Sequence, residues 1–241
     1  MPTPAGETRG SVAGCHPAGG SEVDKLSEIL GLLGKLLEYP GSDLVEKARH
    51  CHDLASALCP TAVDPISRFL AFAEANPLET MEELYTATFD LNPACCPYVG
   101  YQLVGEDPRR AAFMLELREL YRAAGFDVDG DLPDHAAILL RFLGYRLGSQ
   151  EERELAEEAM LPALRKMMAG LAEDHPYRQV LAAATAVLSA IGPGASLLVA
   201  GLGTMQPQAG TVGSSSIGSD PHAGVHPATA RHDRLRGDLR S

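Results

Sequence analysis

Asp134 and His135 stand side by side after Pro133, at the head of the apolar run Ala136-Ala137-Ile138-Leu139-Leu140-Arg141-Phe142-Leu143. A carboxylate beside an imidazole is the raw material of general acid–base catalysis. Neighbours on a helix diverge by roughly 100°, however, so the two side chains serve different partners rather than one substrate atom. The competing reading makes Asp134 a helix cap and His135 a partly buried surface residue at the edge of the apolar face. Cys95 and Cys96 are a second pair, since vicinal thiols can be redox-active, but Pro93 and Pro97 flank them and favour a shaped loop.

Other residues with chemical potential fall away on spacing. His50, Cys51 and His52 are consecutive, which points them around a helix rather than at one metal. Cys51 and Cys59 read instead as small core residues. Gly31-Leu32-Leu33-Gly34-Lys35 is too short and too helical for a phosphate loop, and no Ser or Thr follows its lysine. No zinc spacing, nucleophile elbow or dinucleotide fingerprint is present, so an enzymatic reading rests on Asp134 and His135 alone.

These residues need helices to position them. Pro133 suits a first helical turn, where its missing N–H would be unpaired anyway, and carboxylates suit the positive end of the helix dipole. The run that follows is too apolar for a surface helix and is predicted to pass through the middle of a bundle. Ser21-Glu22-Val23-Asp24 reads as a capping box opening a helix with Val23, Leu26, Leu30, Leu33 and Leu37 on one face. Further helices are expected from Ser42 or Asp43, from Asp64-Pro65, and from Asn76-Pro77-Leu78-Glu79 with its own capping box. The last of these carries Met81, Tyr85 and Phe89 four apart, giving an aromatic face, with Asp90 after them. Asp107-Pro108 opens a helix bearing Phe113, Leu117, Tyr121 and Ala124 that ends at Gly125. Ser149 opens another, kinked at Pro162, and Asp174-His175-Pro176 the last. Tyr98 and Tyr101 are neighbours if the backbone there is helical.

The whole composition agrees with this. Of 241 residues, 45% are hydrophobic but 5% aromatic, with no Trp; Leu and Ala dominate and β-branched runs are scarce. That favours helices over sheet. The expected fold is therefore all-α: one helical bundle of about eight helices over residues 21–203. Disordered tails rich in Gly, Pro, Ser and, at the second end, His are expected at residues 1–20 and 204–241. Five cysteines, an odd number, do not form a secreted disulfide framework, and the first residues lack the basic and apolar parts of a signal peptide; the cytoplasm is the default. Residues 180–203 carry no charge but are mostly Ala, Gly and Ser, broken by Gly192-Pro193-Gly194, so no stable membrane insertion is expected. A net charge of −12 argues against nucleic acid and allows a basic peptide partner. Between Arg68 and Arg109 there is no Lys or Arg, while Glu74, Glu79, Glu82, Glu83, Asp90, Glu106 and Asp107 fall there. This is either a solvated acidic face or an aromatic-edged negative groove for a basic segment.

Taken together, Leu84-Tyr85-Thr86-Ala87-Thr88-Phe89-Asp90, Tyr98-Val99-Gly100-Tyr101, Gly105-Glu106-Asp107, Arg109-Arg110, Leu120-Tyr121-Arg122-Ala123-Ala124-Gly125 and Leu132-Pro133-Asp134-His135 carry a resemblance. Over residues 24–190 the chain resembles the nitrate-reductase delta-subunit (NarJ) and TMAO-reductase chaperone (TorD) superfamily of molybdoenzyme assembly chaperones. The resemblance implies an all-α cytoplasmic protein without catalytic activity. Its partner would be the N-terminal segment of a molybdoenzyme catalytic subunit, held until that client receives bis-molybdopterin guanine dinucleotide, sometimes with a delay of twin-arginine export. The chaperone itself would bind no cofactor stably and be a monomer or weak dimer. Asp134 and His135 match the family's Pro-x-Asp-His-type motif, although Pro133 directly precedes Asp134, which fits the nitrate-reductase branch better. Cys95-Cys96-Pro97 departs from the best-known members of that branch and points to a related client. The client-binding residues expected on this basis are Tyr85, Phe89, Asp90, Tyr98, Tyr101, Asp134, His135 and Phe142. A permanent subunit of the oxidoreductase complex is the alternative, and an enzyme using Asp134 and His135 the third reading.

Overall fold

The computed structural model describes residues 21–92, 95–128 and 130–191. The expected tails, and residues 192–203 of the expected body, lie outside the described residues. Among those described, all regular structure is helical: α1 (Glu22–Leu36), α2 (Leu44–Leu58), α3 (Pro60–Ala75), α4 (Leu78–Tyr85), α5 (Val99–Val104), α6 (Pro108–Ala124), α7 (Ala136–Tyr145), α8 (Gln150–Leu155), α9 (Leu161–Ala169) and α10 (Pro176–Ile191). Two π turns extend the pattern, Thr86–Asp90 after α4 and Ala156–Met160 between α8 and α9. The eight expected helices are all present. α5 is added, and the seventh is divided by its π turn into α8 and α9.

Local chemistry explains most boundaries. The Ser21 hydroxyl accepts the Asp24 N–H while the Asp24 carboxylate accepts the Ser21 N–H, a capping box that starts α1. Ser149 and Glu152 do the same for α8. Asp107 accepts the Arg109 N–H at the head of α6, and Gly125 ends that helix in the left-handed conformation at φ 69°. Three expectations are corrected. The third helix starts at Pro60, not at Asp64-Pro65: Asp64 pairs with Arg68 at 3.0 Å, and Pro65 lies inside the helix, where the carbonyl it leaves free belongs to exposed Thr61. Asn76 does not cap α4; its side-chain amide donates to the Phe72 carbonyl and closes α3. The widened turn Ala156–Met160 stands immediately before Pro162, whose ring would crowd the carbonyl four residues back in an α-helix.

α7 is the centre. Every residue from Ala136 to Leu140, and Phe142 to Gly144, is buried, as the unbroken apolar run requires. It lies against α1 at two glycines. A Cβ on Gly34 would fall 2.7 Å from the Ala137 carbonyl oxygen, and one on Gly144 would fall 2.6 Å from the Ser27 carbonyl oxygen. The Gly31–Lys35 stretch is thus part of a helix crossing, and its glycine is there for close approach. Helices α2 and α3 pack against each other, and α10 packs on α3, α9 and α1. Of the expected α1 face, Leu30, Leu33 and Leu37 are core, whereas Val23 is exposed.

Candidate functional site

The mouth of α7 is built by a chain of backbone and side-chain contacts. The Val99 N–H donates to the Asp134 carbonyl at 2.7 Å and the Ala136 N–H donates to the Pro97 carbonyl at 2.8 Å. Tyr98 and His135 thereby form an isolated antiparallel bridge. From α6, the Tyr121 hydroxyl donates to the Pro133 carbonyl at 2.8 Å, and burial pushes that phenol's pKa up. Asp134 is fully buried, and both its carboxylate oxygens face Arg110: Nε donates at 2.9 Å and Nη2 at 3.4 Å. The Arg110 guanidinium also lies 5.0 Å from the Tyr98 ring centre and 5.9 Å from that of Tyr101. Gly100 is the residue that lets this carboxylate in, since a Cβ there would come within 2.9 Å of Asp134 Oδ2.

His135, not Asp134, is the cap of α7. Its Nδ1 accepts the Ala137 N–H at 3.2 Å, which places the proton of the neutral ring on Nε2. The Tyr98 ring meets it edge to face, 5.5 Å between centres. Burial holds His135 below its ordinary pKa, against the pull of Asp131, Asp134, Glu38 and Asp90. A closing pair of roles results: Asp134 neutralises Arg110 and His135 satisfies a helix N-terminus. The two do not converge on one solvent-facing point, and neither rims an open groove.

The other expected residues separate into two groups. Tyr85, Phe89 and Phe142 are core. Tyr85 packs on Phe89 at 5.0 Å and Tyr177 at 5.8 Å, and Tyr177 on Phe89 at 5.0 Å and Phe69 at 5.7 Å. Phe142 packs on Tyr121 at 4.7 Å and Phe126 at 5.4 Å. The expectation that these three line an open groove is corrected. The spacing of Met81, Tyr85 and Phe89 marks the buried side of α4, where burying each large side chain is worth about 1.5–3 kcal/mol. Tyr98 and Tyr101 are half-buried and Asp90 is exposed.

Around Tyr85 the structure does place an acidic and apolar surface. Burial raises the pKa of Tyr85, and Asp90, Asp131 and Glu38 are near enough to raise it further. Each of these acids adjoins an exposed apolar residue: Leu91 is 74% exposed, Leu132 39% and Tyr39 58%. Tyr39 sits edge-on to Tyr85 at 5.4 Å. Sequence reasoning missed Tyr39, Arg110, Gly100 and Tyr177. A signal existed for Gly100, placed between two tyrosines at a helix start, but Arg110 read only as one of a charged pair.

The cysteines stay unpaired. Cys51, Cys59 and Cys95 are buried and Cys96 is half-buried, with burial pushing Cys51 and Cys95 each up to about 12. No group of metal-binding side chains occurs among the described residues. His50 faces Glu28 at 2.8 Å while Cys51 turns into the core.

The sequence profile described as nitrate reductase delta subunit matches residues 51–177. No curated protein matches the chain significantly. Among solved structures, the chain is similar to an Archaeoglobus fulgidus protein described as a redox enzyme maturation protein. The TM-score is 0.48 and the identity 18%, over 72% of this chain and 98% of that one.

Proposed function

The chain belongs to the nitrate reductase delta subunit family, and from that premise we propose that it is a cytoplasmic assembly chaperone for a molybdenum-cofactor oxidoreductase. Its partner in this reading is the N-terminal segment of the catalytic subunit. That segment is held until the client acquires its bis-molybdopterin guanine dinucleotide, and its export is delayed where the client is exported. The cofactor belongs to the client; this chain's part is to bind peptide. The protein acts as a monomer or weak dimer and carries out no reaction of its own.

One observation carries the reading. Exposed Tyr39, Leu91 and Leu132 stand beside Glu38, Asp90 and Asp131 on the face above Tyr85 and the bridge of Tyr98 with His135. A short amphipathic segment with basic residues is the natural partner of such a surface: apolar anchors supply affinity, and charge sets orientation and on-rate. Asp134, His135, Tyr85, Phe89 and Phe142 then shape this face from beneath, while Asp90, Tyr98 and Tyr101 border it. No helix among the described residues is long and apolar enough to cross a membrane.

The test is a pulldown of the tagged protein from its native cytoplasm, with mass spectrometry and molybdenum analysis of what accompanies it. Recovery of a cofactor-free molybdoenzyme catalytic subunit supports the chaperone. Recovery of a mature, metal-loaded complex replaces it with a permanent subunit, and absence of any molybdoenzyme removes both.

A further inference from the structure

Beneath the loop joining α1 to α2 the structure gathers three tyrosines. Tyr177 is fully buried, and among the described residues its hydroxyl is the one buried side-chain polar atom without a hydrogen-bond partner. A buried hydroxyl in that state calls for an explanation. Tyr85 and Tyr39 are close enough that, after burial itself, they are the charges that act on the Tyr177 hydroxyl. Tyr85 has a partner, donating to the Leu37 carbonyl at 3.3 Å. Tyr39 is the solvent-facing member of the group and touches Tyr85 by a T-shaped contact, 72° between planes.

We propose that Tyr39 is a displaceable stopper in an anchor pocket walled by Tyr85, Phe89 and Tyr177, and that the occupant it stands in for is a large apolar or aromatic side chain of a basic helical client segment. The proposal rests on the client-binding reading above and deepens it. A ring more than half exposed and held by one edge gives up little contact when it swings out. An entering group with an acceptor atom satisfies the Tyr177 hydroxyl, which Tyr39 leaves orphaned. The rim supplies the charge preference: Asp90 and Asp131 attract a cation, whereas Glu38 is already held by Arg141 at 2.9 Å. Leu91 and Leu132 offer flanking apolar surface.

The experiment uses p-cresol, which has the shape of a tyrosine side chain, with toluene as the isostere lacking the hydroxyl. Tyr145 is the control, because it is equally exposed at 58% and packs on Phe126 at the same 5.4 Å. Full-length wild type, Tyr39→Ala, Tyr145→Ala and Tyr39→Ala/Tyr177→Phe are titrated by NMR with ring-labelled tyrosine. Tyr39→Ala should bind p-cresol saturably, at least tenfold tighter than wild type or Tyr145→Ala, with the shifts on Tyr85 and Tyr177. Adding Tyr177→Phe should weaken p-cresol severalfold and leave toluene unchanged. Equal binding by Tyr39→Ala and Tyr145→Ala, or shifts away from Tyr85 and Tyr177, overturns the pocket. If Tyr39→Ala unfolds, Tyr39→Ser repeats the titration, and circular dichroism confirms the fold of each variant. No client is present, so failure here leaves the chaperone reading standing, and failure of the pulldown leaves the pocket standing.

Discussion

Asp134 Oδ2 occupies the space that a side chain on Gly100 would need: a Cβ built there falls 2.9 Å from that oxygen, 3.0 Å from Arg110 Cγ and 3.2 Å from Phe113 Cδ1. The carboxylate cannot step aside, because Arg110 holds both its oxygens. Gly100→Ala is expected to destabilise by about 1–3 kcal/mol through overpacking. A lower urea midpoint at unchanged m-value is the expected outcome; an unshifted midpoint refutes it.

The Arg110–Asp134 pair should behave as a unit. Replacing Arg110 with Met leaves a fully buried carboxylate without its cation, a loss expected at about 3–5 kcal/mol. Asp134→Asn together with Arg110→Met should cost less than the two single changes added, because no uncompensated charge remains. A double-mutant cycle showing additivity rejects the coupling.

Two histidines cap helices in the same way. His135 Nδ1 accepts the Ala137 N–H, and His175 Nδ1 accepts the Tyr177 N–H, each at 3.2 Å. His175 Nε2 also meets the Thr88 hydroxyl at 3.2 Å, and that hydroxyl donates to the Leu84 carbonyl, so the ring nitrogen is the donor there. Burial lowers both histidines from the ordinary 6.5, against Asp174 near His175 and Asp131, Asp134, Glu38 and Asp90 near His135. A lowered folded-state pKa means the unfolded chain takes the proton first. Stability is therefore full above about 6.5 and falls as pH drops below that value towards the folded pKa values. Urea midpoints from pH 7.5 to 5 should fall, and His175→Asn, which keeps a capping acceptor without titrating in this range, should flatten part of the slope. An unchanged slope in that variant would sink the assignment.

Gly34→Ala and Gly144→Ala should each separate α1 from α7, because the obstructing atoms are the carbonyls of Ala137 and Ser27 and not flexible side-chain ends. Gly31→Ala is the internal control, since a Cβ there meets nothing within 4 Å. The first two should lower the melting temperature while Gly31→Ala holds or raises it, given alanine's better helix propensity.

The helical architecture was legible because periodicity, capping boxes and terminal glycines report local free energies that the bundle does not override. The α7 run is the plainest case: eight nearly unbroken apolar residues have nowhere to go but inside. The site was less legible for a matching reason. Tyr85 and Phe89 show a helical stripe, and a stripe says that a face is buried without saying by what; here Tyr177, far along the chain, covers it. Asp134 looked like a cap because carboxylates often are, and nothing local announces that Arg110 reaches it from α6. Long-range partners such as these follow from the fold and leave little trace in spacing.

The cysteines give a direct chemical check. In protein carrying Cys15→Ser, Cys96 should react with a disulfide reagent well ahead of Cys51, Cys59 and Cys95, the three buried thiols. Simultaneous reaction of all four in native buffer contradicts the burial pattern.

The bridge between Tyr98 and His135 pinches the chain shut at residues 97 and 136, and everything between, α5 and α6 included, is an excursion that leaves and returns through one pair of backbone hydrogen bonds. Such a clasp separates two kinds of opening. Amides inside the excursion can exchange with solvent while the clasp holds, but the Val99 and Ala136 amides exchange only when it lets go. Those two protons are therefore a matched pair of clocks for one event, and equal exchange rates at these two positions would mark the moment at which the mouth of α7 comes undone.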